Sequence, residues 1–131
     1  MRYWDTSAIV PLLLEQEFSA PVRALLSDDP DMATWWGTSV ECASAAARLR
    51  REEVLAVSGE ERVRELLAVL GASWLEVVPS EEVRDQATRL SRVHSLRAAD
   101  ALQLAAARVW AGGGGGAELV TLDERLALAA R

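Results

Sequence analysis

The chain has no lysine: all 14 of its basic residues are arginine. Every mechanism that needs a lysine is thereby excluded. A Walker-type phosphate loop, a receiver-domain phosphorylation site and a haloacid-dehalogenase-type phosphatase each require one, although the first apolar strand would suit all three. Cysteine is nearly absent too. A single Cys42 rules out a disulfide framework within the chain and fits a reducing cytosol. Histidine occurs once, at position 94, and neither a Ser-His-Asp nor a Cys-His pairing is visible, which argues against covalent nucleophilic catalysis. No apolar run approaches the ~18 residues of a membrane span, and no charged-then-apolar leader precedes Asp5. These absences predict a cytoplasmic protein without membrane association.

The residues that are present describe a globular domain. At 131 residues, half of them hydrophobic, the chain can form a core without metal or disulfide support. We expect one domain spanning residues 1–131. Its net charge of −6 speaks against a high-affinity passive nucleic-acid binder. Apolar strand-like runs at 2–4, 32–35, 74–78 and 118–122 alternate with helix-like segments at about 6–15, 19–27, 39–53, 58–71, 80–94 and 98–111, and Asp123 opens a last helix. Pro11 is tolerable in the first helix only in or near its first turn. Ser58 with Glu61 three residues on marks a helix start, and Ser80 caps another. With no two-residue hairpin signal, the pattern predicts an α/β fold: a three-layer α/β/α domain around a central parallel sheet. The glycine run 112–116 reads as a flexible surface loop.

Four acids fall at strand ends or helix starts, where open α/β sheets place their sites: Asp5, Glu41, Asp100 and Asp123. Each has a plainer alternative. Asp5 and Asp123 could be helix N-caps. Glu41 could close a capping box with Thr38. Asp100 could be a first-turn acid favoured by the helix dipole, although its helix is apolar almost all round and should be buried. Taken together, the four carboxylates need a cation. They form an all-oxygen donor set suited to Mg²⁺ or Mn²⁺, able to generate hydroxide and stabilise a displaced oxyanion. Cys42 should face the core and His94 a helix surface. Arg48 and Arg51 share a helical face and could hold phosphates near Glu41, as could Arg97 near Asp100; a solvated face is the alternative. Trp35, Trp36 and Trp110 are expected in the core or at a dimer contact, since base stacking requires an exposed ring.

The ordered segments Tyr3-Trp4-Asp5-Thr6-Ser7-Ala8, Glu41, Leu96 through Ala105 and Leu119 through Leu126 resemble PIN-domain ribonucleases, specifically the VapC-type toxins of toxin–antitoxin pairs. The resemblance spans essentially the whole chain. It implies a catalytic, metal-binding quartet of Asp5, Glu41, Asp100 and Asp123, supported by the hydroxyls of Thr6, Ser7 and Thr121. It also implies Mg²⁺- or Mn²⁺-dependent hydrolysis of single-stranded or loop RNA, a homodimer, and a small VapB-like antitoxin that occludes the groove. A non-catalytic PIN-fold binding module and a phosphoesterase acting on another substrate are the alternatives. Two departures stand out. The glycine run lengthens the segment before Asp123, and the chain ends at Arg131 where relatives often continue into one more short strand. The apolar stretch Ile9–Leu14 exceeds one buried stripe and is expected to line an antitoxin groove or the dimer seam.

Overall fold

Four short parallel strands set the architecture of the computed structural model, which describes residues 1–131. They are β1 (Arg2–Trp4), β2 (Met32–Trp35), β3 (Leu75–Val77) and β4 (Leu119–Val120). The sheet runs β3-β2-β1-β4, with Tyr3 paired to Ala33 on one side and Leu119 on the other. Seven helices surround it: α1 (Thr6–Leu13), α2 (Ser19–Asp28), α3 (Thr38–Arg51), α4 (Val57–Gly71), α5 (Glu81–Val93), α6 (Ala98–Ala111) and α7 (Glu124–Ala130).

Side-chain alternation along the strands divides the core in two. Tyr3, Ala33 and Trp35 face α5, α6 and α7, packing with Val83, Leu90, Leu104 and Leu126. Trp4, Met32 and Val120 face the other way, against Ile9, Val22, Cys42, Val63 and Leu67 of α1 to α4. Both sheet faces are therefore covered, which is why the strands are apolar at every position past Arg2 except Thr34 and Glu76. The expected three-layer α/β/α arrangement is the one observed.

Local boundaries depart from expectation in instructive places. Pro11 lies in the second turn of α1, as the sixth helical residue, and the helix ends at Leu13 rather than near Glu15. The buried Ser19 hydroxyl donates to the Pro11 and Leu14 carbonyls at 2.7 and 3.2 Å, answering acceptors that the short helix leaves open. α4 begins at Val57 with Ala56 before it and no side-chain cap, so Ser58 does not open it. Trp74 lies outside β3 and packs in the core. Ser80 caps α5 as expected, accepting from the Val83 amide at 3.1 Å.

The apolar excess of α1 is taken up internally. Val10, Leu12 and Leu14 are partly buried against the same core as Ile9 and Leu13. The helix sits among α2, α3 and α4, and its apolar residues are buried or only partly exposed.

Gly112 terminates α6 in the left-handed region, at φ 65°, where a side chain would be strained. The glycine run then joins the end of α6 to the start of β4. That is the edge of the sheet opposite the strand ends that carry the acids. Its extra length therefore leaves Asp123 in place, because the pairing of Trp4 with Val120 fixes the far end of β4.

Candidate active site

All four strands are parallel, so their carboxyl ends form one rim, and Asp5 stands on it directly after β1. The Asp5 amide donates to the Val120 carbonyl at 3.2 Å, extending the ladder by one residue, while its carbonyl accepts from Ala8 and Ile9 to start α1. Its side chain is 4% exposed. It makes no cap bond to the helix; instead the Ser7 hydroxyl lies 2.8 and 3.1 Å from its two oxygens. Burial pushes the carboxyl up to about 6, against the Ser7 hydrogen bond, which favours the ion. A buried carboxylate with no cationic partner is the costly arrangement that a bound cation relieves.

Two hydrogen-bonded chains lead away from Asp5. The first runs to β4: Ser7 Oγ lies 3.3 Å from Thr121 Oγ1 and accepts from the Leu122 amide at 2.8 Å, while Thr121 Oγ1 accepts from the Asp123 amide at 3.0 Å. The second begins at the next residue: Thr6 donates to Glu41 Oε1 at 3.0 Å. The other Glu41 oxygen faces the Gln103 side-chain nitrogen at 3.2 Å. That nitrogen also lies 3.1 Å from Thr6 Oγ1 and 3.0 Å from Thr38 Oγ1. Its two protons are thus shared among three acceptors. The Gln103 oxygen accepts from the buried Tyr3 hydroxyl at 2.7 Å. The neighbouring carboxylate orients this amide, since the flipped form would set oxygen against oxygen.

Glu41 therefore does not close a capping box. Gly37 occupies the N-cap position, Thr38 is the first helical residue, and the Thr38 hydroxyl is turned to Gln103. Burial raises the Glu41 carboxyl above its ordinary range; the Thr6 and Gln103 hydrogen bonds oppose this and the charge of Asp100 adds to it.

Asp100 lies in the first turn of α6 and is only half-buried; the unbroken buried run of that helix begins at Gln103. Its carboxyl is also raised, by partial desolvation and then by Asp123, while Arg97 and Arg125 pull it down. These residues line an open groove of about 670 Å³ together with Ala99 and Glu124. Asp123 does serve as a helix N-cap: its Oδ1 accepts from the Arg125 and Leu126 amides at 2.9 and 3.1 Å. Only Oδ2 is free of those bonds.

The four acids thus occupy one rim, where the charge of Asp100 acts on Glu41 and that of Asp123 on Asp100, but no three His, Cys, Asp or Glu side chains stand close enough to enclose an ion. The donor set suits a hard divalent cation: carboxylate oxygens, flanked by hydroxyls and an amide, with no soft ligand. Cys42 is buried and its thiol is pushed up to about 12 by desolvation and the charges of Glu41 and Asp5, so it is not a thiolate ligand or nucleophile.

The arginines divide. Arg97 lines the acid groove. Arg48 and Arg51 are exposed in the last turn of α3, roughly 10 and 15 Å along the helix axis from Glu41. Gln103 and Thr38 are the site residues that sequence reading missed. A signal existed for Gln103: a lone amide inside an apolar helix, three residues after Asp100 and so on the same face.

A parallel three-layer α/β domain with carboxylates collected at the carboxyl edge of its sheet defines the class of the molecule. The chain belongs to the PIN domain family, which it matches over residues 2–131. Its fold is similar to that of a chain in a toxin–antitoxin complex from Klebsiella pneumoniae, with a TM-score of 0.68 over 97% of this chain and 91% of that one, at 19% sequence identity. No curated protein matches the sequence. No helix is long and apolar enough to cross a membrane.

Proposed function

We propose that residues 1–131 act as one Mg²⁺- or Mn²⁺-dependent endoribonuclease domain, the toxin of a VapBC-type pair. The observation that carries this reading is the Asp5 carboxylate, 4% exposed and without a cationic partner, on the same rim as Glu41, Asp100 and Asp123. Membership in the PIN family, whose members are as a rule nucleases, supports it. A bound Mg²⁺ or Mn²⁺ would supply water activation and charge neutralisation at the phosphate. Asp5 and Glu41 would hold it from the inner side, Asp100 and the free oxygen of Asp123 from the groove side. Thr6, Ser7, Thr121 and Gln103 keep those carboxylates oriented. Arg97 and Arg125 offset the acids where a polyanion must approach; Arg48 and Arg51, if they meet RNA, do so along its flanks. A small VapB-like antitoxin covering the groove, and a homodimer in the cytoplasm, complete the proposal.

A second reading is a PIN-fold module that binds metal or RNA without cutting, and the separation of the acids favours it. Cleavage of structured RNAs and matched DNAs with Mg²⁺, with Mn²⁺ and with chelator decides between them, with Asp100→Asn beside the wild type. Metal-dependent RNA cleavage lost in the variant upholds the nuclease. Cleavage of DNA alone points to another phosphoesterase. Binding without cleavage selects the module.

A further inference from the structure

The acid groove accounts for only one stretch of the rim. Beside β1 lie the ends of β2 and β3, and neighbouring strands are ~4.8 Å apart, so these ends stand roughly 5 and 10 Å along the rim from Asp5. Two features occur there that packing does not require. Trp36 follows β2 with its amide pinned to the Val77 carbonyl at 3.0 Å, yet the residue is 57% exposed. A separate slot of about 310 Å³, which Trp36 does not line, opens between Trp35, Pro79, Glu81, Arg84 and Leu102.

The backbone at this point is closely packed. Gly37 allows it to pass the Trp35 ring, since a Cβ there would come within 2.7 Å of the Trp35 indole nitrogen. The exposed Trp36 is thus carried on backbone held by the Val77 hydrogen bond and packed against Trp35, which suits a stacking surface. Arg84 pairs only with Glu81, at 3.2 Å and largely in solvent, so its guanidinium is free to turn to a phosphate.

We propose that this part of the rim is a base-binding subsite, with Trp36 its stacking face, for an unpaired nucleotide next to the scissile phosphate; the proposal rests on the nuclease reading. The electrostatics favour an aromatic solution. In a chain of net charge −6 whose crevice is lined by carboxylates, stacking on a π-face supplies affinity without demanding more positive charge. It also discriminates, because a base inside a duplex is already stacked and paired.

The experiment uses the Mg²⁺-loaded full chain and single-stranded RNA oligonucleotides from which one base at a time has been removed, with the same sequences in duplex as comparison. Trp36→Ala, Trp36→Phe and Arg84→Ala are assayed for KM and kcat, and for oligonucleotide binding by anisotropy. Val93→Ala, at the exposed far end of α5, controls for loss of surface apolarity. Trp36→Ala should raise KM roughly 5- to 100-fold, the scale of one lost base stack, with kcat unchanged. Phe should restore most of it. In the wild type, removing one base beside the cut should carry the same penalty, and that penalty should vanish in Trp36→Ala. A flat base-removal scan, or unchanged KM and binding in Trp36→Ala, overturns the proposal. So does a loss confined to self-association or protein capture, which would assign the ring to a protein interface. Weaker binding by Trp36→Ala with no cleavage by wild type upholds the subsite and sinks the nuclease reading instead.

Discussion

The side-chain amide of Gln103 sits 3.2 Å from Glu41 Oε2, and its oxygen takes the Tyr3 hydroxyl at 2.7 Å, so one buried residue of α6 joins the first strand to the third helix across the sheet edge. Removing it strands several groups at once. Gln103→Leu should lower stability by roughly 1–3 kcal/mol, the cost of buried polar groups left unpaired. Metal affinity or activity should fall about 10- to 100-fold, as expected for a partner that orients ligands. Urea denaturation and a metal titration on the same protein check both.

The charge on Asp5 makes stability depend on pH in an unusual direction. In the fold its carboxyl titrates at about 6, whereas an unfolded aspartate titrates near 4. The native state therefore holds the extra proton between those values, and Asp5's contribution is full below about pH 4 and lost as pH rises through about 6. The upper bound is roughly 3 kcal/mol, and the raised carboxyls of Glu41 and Asp100 act the same way. In chelator, the stability difference between wild type and Asp5→Asn should grow unfavourable to wild type across that window. Excess Mg²⁺ or Mn²⁺ should shrink or reverse it.

Activity and stability should accordingly part company. Asp5→Asn removes a desolvated charge, so it should unfold at higher denaturant than wild type near pH 7 without metal, by about 1–3 kcal/mol. Cleavage should fall at least about 100-fold. A variant less stable than wild type at that pH would count against an ionised, unpartnered Asp5.

The cap that Asp123 makes and the metal-binding role proposed for it are separated by a single pair of variants. Asp123→Ala loses the cap of α7 and should cost ~0.5–2 kcal/mol, whereas Asp123→Ser keeps an N-cap oxygen and should lose little. Both lose the carboxylate and should be equally defective in metal-dependent cleavage. Activity retained by Asp123→Ser would reduce this residue to a cap.

The arginines should separate by position. Arg97→Ala, at the groove, should raise KM and flatten the salt dependence of binding to short RNAs. The double change of Arg48→Ala with Arg51→Ala, at the far turn of α3, should leave short substrates unaffected and weaken only longer ones.

The strand-and-helix alternation, the parallel three-layer fold and the acids that follow β1 and β4 were all legible in the chain, because strand ends and periodic helices leave local marks. Burial was less legible. Asp100, on an apolar helix, proved half-exposed, while Asp5, with no local sign of it, proved 4% exposed. The capping-box alternative at Thr38–Glu41 was not realised, for the same reason. A local motif offers one set of hydrogen bonds, and the tertiary neighbours Thr6 and Gln103 offered better ones. Sequence by itself determined which residues could donate oxygen to a cation and which reaction classes were out of reach, since those are properties of residue types. Only the tertiary structure decided how far each carboxylate is desolvated, which partners hold it, and that Trp36 faces solvent while Trp35 does not. Those depend on segments distant in sequence meeting at one sheet edge.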